Sequence, residues 1–138
     1  MSDKVPEGYV INTVTGTATV TRAVDQKAAS ITIPSRIQVG NKVYPVTEIA
    51  AKAFKNNKTL KKIVIPSTVT KIGKAAFQNC KKLKKITIKT KKLKPKTVGT
   101  KAFKGIHARA IFKLPKKQRK LYKKVLLKKG ATQKMKFK

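Results

Sequence analysis

Acidic residues are scarce in this chain: four Asp and Glu stand against 36 Lys and Arg in 138 residues. All four acids (Asp3, Glu7, Asp25 and Glu48) fall in the first 50 residues, beside five basic ones. Residues 51–138 therefore hold 31 basic residues and no acid. That stretch cannot supply a carboxylate pair for acid/base chemistry or a carboxylate cage for a metal. Tryptophan is missing, Cys80 is the only cysteine and His107 the only histidine. A lone cysteine excludes an internal disulfide framework and a thiolate metal cluster. A Cys80/His107 nucleophile pair would have no acid in residues 51–138 to orient the histidine. There is no Gly-rich phosphate loop, so an enzyme is not expected and no cofactor is implied. No apolar run approaches the roughly 18 residues of a membrane span. The start "MSDKVPEGYV" lacks the apolar stretch of a leader peptide. The expectation is a cytoplasmic protein, or one whose export signal lies outside these residues.

What the chain does have is apolar content and charge. At 40% hydrophobic residues it is too apolar for a disordered basic tail, and its length suits one domain or a short solenoid. A formal charge of +32 raises nucleic acid, acidic polysaccharide or an anionic membrane as partners. Only Arg22, Arg36, Arg109 and Arg119 are arginines, and arginine is the residue that makes bidentate contacts to phosphates and guanine edges. A lysine surface implies diffuse attraction without base reading.

An internal repeat organises the middle of the chain. "VTEIAAKAFKNNKTLKKIVIP" (46–66) and "VTKIGKAAFQNCKKLKKITI" (69–88) align without a gap, so Phe54, Leu60, Ile63 and Ile65 recur as Phe77, Leu83, Ile86 and Ile88, each 23 residues on. A looser copy, "VGTKAFKGIHARAIFKLP" (98–115), follows a three-residue insertion and has Arg109 where leucine stood. A half copy, "ITIPS" (31–35), precedes them. Strand alternation turns Ile63 and Ile65 inward and Val64 outward. The Ile-x-x-x-Ala-Phe segment places Ile49 with Ala53, and Ile72 with Ala76, on one side of an expected helical turn. Stacked in register, the units would align Phe54, Phe77 and Phe103 in one buried column. The lysine pairs of "CKKLKK" then occupy slots left over by the core, either as a solvated face or as partner contacts.

These units resemble the BspA-like leucine-rich repeat of bacterial surface proteins, read as I-x-x-x-A-F-x-x-C-x-x-L-x-x-I-x-I-P. Two copies match well and a third loosely, over 46–115. "ITIPSRIQVGNKVYPVTEI" is similar to the hairpin near the start of such domains, and "LPKKQRKLYKKVLLKKG" to their closing helix. The resemblance implies an α/β repeat fold, a short leucine-rich-repeat solenoid with an N-terminal β-hairpin cap and a C-terminal helical cap. It also implies export, display at the cell surface and an adhesion or interaction role, with a protein or glycan partner. The family's cysteine slot holds Asn57, Cys80 and Ile106 in turn, which suggests a packing position and not a redox site.

Three units follow: an N-terminal cap with the half repeat (1–45), the repeats (46–115), and a capping helix with a final short strand (116–138). "GYVINTVTGTATVTRAV" alternates around Thr15-Gly16 as a hairpin, and Gly40-Asn41 turns a second one. After Pro115, an apolar stripe of Leu121, Tyr122, Val125 and Leu126 reads as a helix that Gly130 stops. That stripe suits either a lid on the last repeat or an anionic membrane surface. Met135 and Phe137 alternate with lysines, compatible with a strand.

The expected binding surface is the concave strand face, where outward side chains line up between repeats: Thr32, Lys62, Val64, Lys85, Thr87 and Lys113. The aromatic residues at the repeat positions read as core, so nucleic acid lacks a stacking platform. The alternative function is a charge-driven polyanion binder for a cell-wall polymer, an acidic glycan or nucleic acid.

Overall fold

A computed structural model describes residues 4–138; Met1–Asp3, the start of the expected N-terminal unit, lie outside the described residues. The chain opens with β1 (Tyr9–Asn12) and β2 (Thr17–Val20), the expected first hairpin. The strands β3 (Ser30–Thr32), β4 (Arg36–Val39) and β5 (Lys42–Ile49) follow, with β4 and β5 antiparallel about Gly40-Asn41. Gly40 sits at φ 59°, the left-handed conformation that a two-residue hairpin turn requires. The repeats supply β6 (Lys62–Ile65), β7 (Lys71–Ile72), β8 (Lys85–Ile88) and β9 (Ile111–Lys113). A 3-10 turn (Lys116–Gln118), α1 (Arg119–Lys128) and β10 (Lys136–Phe137) complete the chain.

Two ladders result. The strands β3, β6, β8, β9 and β10 form a parallel sheet in that spatial order. On the other side of each coil, β5 carries β2 on one edge and β7 on the other, and Val98 bridges to Ile72. The half repeat and the terminal "KF" thus add a strand each, and the parallel sheet runs past 46–115 at both ends. The inward residues Ile63, Ile65, Ile86, Ile88 and Phe112 are buried between the ladders, in one core continuous from Ala18 to Met135.

The limb after each Ile is not the helical turn expected from the four-residue spacing of Ile49 and Ala53. It is a run of β-turns, and α1 is the only α-helix among the described residues, so the α/β repeat is corrected to a β-and-turn repeat. The reason lies in where the backbone hydrogen bonds go. The N–H groups of Lys52, Phe54 and Asn56 donate forward to the carbonyls of Lys74, Ala76 and Gln78, and those of Ala75, Phe77 and Asn79 to Thr100, Ala102 and Lys104. Amides used between coils are not free for an i→i−4 ladder. To aim them along the stack, the turns place Lys52, Ala75 and Lys101 at φ 57–62°, and Asn56, Asn79 and Gly105 at φ 62–80°. The two left-handed slots recur with the repeat.

Each coil also approaches its neighbour closely. A Cβ on Gly73 would stand 2.3 Å from the Ala51 nitrogen, and one on Gly99 2.3 Å from that of Lys74. The phenylalanine column forms as expected, with Phe54–Phe77 and Phe77–Phe103 stacked at 5.1 and 5.2 Å between ring centroids. Phe103 meets Phe112 edge-on at 5.3 Å, and Phe112 stacks on Phe137 at 5.3 Å. The ring contacts therefore continue to the last strand.

The helix joins this core through Tyr122, Val125 and Leu126, whereas Leu121, placed in the same stripe from sequence, remains 47% exposed. Three of the four residues of its apolar stripe are thus spent inside the protein as a lid on the last repeat. Gly130 ends it at φ 114°, with the Ala131 N–H donating to the Leu126 carbonyl in the manner of a Schellman motif. The Lys129 carbonyl then accepts the Phe103 N–H, taking the place that Ala76 and Ala102 hold in earlier coils.

Candidate functional site

The outward face of the parallel sheet is built by register. Ser30, Lys62, Lys85, Ile111 and Lys136 form one column across β3, β6, β8, β9 and β10, and Thr32, Val64, Thr87 and Lys113 form the next. All six residues expected on this face are therefore brought together, with Lys62 beside Lys85 in the first column and the other four in the second. Thr32, Lys62, Lys85 and Lys113 are exposed, and Val64 and Thr87 half-buried. Adjacent strands lie about 4.8 Å apart, so each column is a close-spaced row of side chains.

A groove of about 720 Å³ opens on this face. Lys62, Lys85 and Lys113 line it, and so do Lys116, Arg119 and Lys138, which the repeat alignment does not reach. Lys116 and Arg119 enter because Pro115 turns the chain off β9 into the 3-10 turn beside the sheet. Lys138 enters because β10 pairs with β9, its N–H donating to the Phe112 carbonyl at 2.8 Å. The alternation of Met135 and Phe137 with lysines is the only sequence signal for that last rung.

Arg22 and Glu7 form an ion pair at 3.7 Å, far along the chain from the groove residues. Residues 51–138 contain no acid to pair with the groove cations.

The cysteine slot is occupied in three ways. Asn57 is half-buried, and its Oδ1 accepts the N–H groups of Thr59 and Leu60, both at 2.9 Å, closing a local turn. Cys80 is buried, its thiol donating to the Phe54 carbonyl at 3.0 Å, and Ile106 fills the slot by packing. Burial pushes the Cys80 thiol up to about 11, against a smaller lowering from the Asn57 backbone. A thiol so placed stays protonated and unreactive at neutral pH. His107 uses its Nδ1 to accept the Arg109 N–H at 3.0 Å. Among the described residues, no three His, Cys, Asp or Glu side chains come together as a metal-holding group.

The three-residue insertion (Phe77 to Phe103 is 26 residues) is absorbed between β8 and Val98. There Thr90 is fully buried and its hydroxyl donates to the Val69 carbonyl at 2.6 Å. Tyr122 of α1 reaches the same loop: its hydroxyl donates to the Thr90 carbonyl at 2.8 Å and accepts the Leu93 N–H at 3.1 Å. Burial raises the Tyr122 phenol above its ordinary value, the Leu93 contact pulling the other way.

Strand, turn and repeat of this kind define a leucine-rich-repeat fold: parallel strands joined by irregular limbs, with a single short helix. The chain belongs to the BspA type leucine rich repeat family, whose model matches residues 45–138. None of the curated proteins compared with it matches. Among solved structures it is similar to a leucine rich cell surface protein from Faecalibacterium prausnitzii A2-165, with 31% identity and a TM-score of 0.61 over 80% of this chain. It is also similar to leucine-rich repeat proteins from Bacteroides capillosus ATCC 29799 (28% identity, TM-score 0.62, 83% of each chain) and Bacteroides ovatus ATCC 8483 (26% identity, TM-score 0.56, 77% of this chain). The chain spans 32% of the Faecalibacterium protein and 34% of the B. ovatus protein. No helix among the described residues is long and apolar enough to cross a membrane.

Proposed function

We propose that this chain is a non-enzymatic interaction module of a bacterial cell surface, binding a protein or glycan partner through the outward face of its parallel sheet. The observation that carries the reading is the register: five strands set outward side chains in one continuous column and four of them in a second, a larger shared surface than any one repeat offers. Repeat folds use such extended faces for binding. Surface display is supported by the Faecalibacterium relative, which is described as a cell surface protein.

Within this reading, residues 1–45 cap the array and supply the half repeat, 46–115 are its repeats, and 116–138 close it. The absence of catalysis rests on the chemistry of the two candidate groups, since the Cys80 thiol is buried and protonated and the His107 Nδ1 is already engaged. The test is binding of the purified protein to a panel of matrix proteins and glycans at low salt and again near about 0.5 M, where surface charge is screened within a few ångströms. A partner that survives the salt and is lost on changing Val64 and Thr87 supports the face as the interaction surface. Binding that persists unchanged in those variants overturns it.

A further inference from the structure

The face so assigned has a feature that the repeat pattern does not require: its groove is lined by cations and neutral side chains, with no acid among them. Resting on the reading of this face as the interaction surface, we infer that its partner is an acidic polysaccharide, a sugar chain whose carboxylate or sulfate groups meet the groove ammoniums. Six cations line the groove: Lys62, Lys85, Lys113, Lys116, Arg119 and Lys138. Lys62 and Lys85 are direct register partners on adjacent strands, so two ammonium groups rise side by side from the face and repel one another. Residues 51–138 offer no acid to relieve this. No acid lines the groove, so its cations are met by ions from solution, and a polyanion that displaces several small counterions at once is favoured over separate ones.

The shape of the site points to a polymer. The cations are spread over β6, β8, β9 and the chain after β10, so three strand spacings, about 14 Å, separate the ends of the row. A small anion would reach only two or three of them.

The chemistry between the cations selects among polymers. The half-buried Val64, Thr87 and Ile111 occupy the columns alongside the lysines, and Phe54, Phe77, Phe103 and Phe112 are buried in the core. The face thus presents no phenylalanine ring of the repeat on which nucleic acid bases could stack. Arg119 is the only arginine of the six, so the forked contacts that favour phosphates and guanine edges are nearly absent. An acidic peptide would gain most by adding to a sheet edge, whereas the cations stand on the sheet's face. A glycan carries its own hydroxyls to satisfy Thr87 and brings charges at regular intervals along a flexible chain.

The experiment is calorimetric titration of the whole chain with a short heparin oligosaccharide, neutral dextran of matched length and duplex DNA, at about 0.15 M salt. Two triple variants of equal net charge are compared. One reverses the face (Lys62→Glu, Lys85→Glu, Lys113→Glu); the other reverses exposed lysines outside the groove (Lys55→Glu, Lys104→Glu, Lys124→Glu). Circular dichroism establishes that each is folded. The expected result is heparin binding well above dextran and DNA, weakened about 30-fold or more by the face variant and less than about 3-fold by the other. Equal losses in both variants overturn the proposal in favour of summed charge, and tighter binding of DNA overturns it in favour of a phosphate backbone. If heparin fails while a matrix protein binds and is lost in the face variant, the acidic glycan falls and the interaction face stands; if neither ligand responds to the face variant, both readings fall.

Discussion

Single side chains carry two of the sharpest expectations. Phe77 has a stacked ring on either side, Phe54 at 5.1 Å and Phe103 at 5.2 Å, and is fully buried. Truncation to alanine leaves a cavity that two neighbouring coils cannot both close, so Phe77→Ala should cost roughly 3–5 kcal/mol in urea unfolding. Cys80 gives a signature in pH. Its folded value of about 11 lies above the ordinary 9.0. Between these two values the unfolded chain has released the thiol proton and the folded chain has kept it, so stability falls as pH rises through that window. Below pH 9 the contribution is fully present. The expected outcome is that Cys80→Ala flattens the decline between pH 9 and about 11 relative to the parent, measured by urea midpoints across that range.

Elements meet at two places where little tolerance remains. The helix is held to the insertion loop by Tyr122, whose hydroxyl serves the Thr90 carbonyl and the Leu93 N–H together. Tyr122→Phe leaves both groups buried without that partner and should destabilise by about 1–3 kcal/mol. Hydrogen exchange should show the loss first at the Leu93 amide. Successive coils touch at Gly73, where a Cβ would meet the Ala51 backbone nitrogen at 2.3 Å. Because backbone, not a flexible side-chain end, must give way, Gly73→Ala should cost on the order of 1–3 kcal/mol by overpacking, seen as a lower thermal midpoint.

Over the whole molecule the dominant fact is a formal charge of +32, from 36 basic residues against four acids. Self-repulsion of this kind opposes the compact state and is screened by salt. The thermal midpoint should therefore rise as salt goes from about 10 mM to about 150 mM, where the Debye length falls from roughly 30 Å to roughly 8 Å. A chain stabilised mainly by surface ion pairs would respond in the opposite sense. The same charge explains why a binding measurement at a single low salt concentration cannot separate the groove from the rest of the surface.

Periodic apolar residues make the array legible in the order of the amino acids alone. Phe54, Phe77 and Phe103 announce a column, and the alternation in "KIVI" and "KITI" determines which residues face out, because strand side chains alternate wherever the strand lies. Even the site columns Lys62–Lys85 and Val64–Thr87 follow from the gapless spacing of two copies. The turns do not follow. The spacing of Ile49 and Ala53 fits a helix as well as a turn run, and the choice is made by amides of Phe54 and Phe77 bonding to the next coil, partners that exist only once the coils stack. Leu121 belongs to the same apolar stripe as Tyr122, yet stays exposed because the rotation of α1 is set by where Tyr122 finds Thr90 and Leu93. Lys116, Arg119 and Lys138 join the groove for the same kind of reason: the pairing of β10 with β9 and the turn after Pro115 bring together residues that no repeat offset relates. Local periodicity is a property of the chain, whereas hydrogen-bond partners between coils and neighbours across a groove come into being only when the coils are packed.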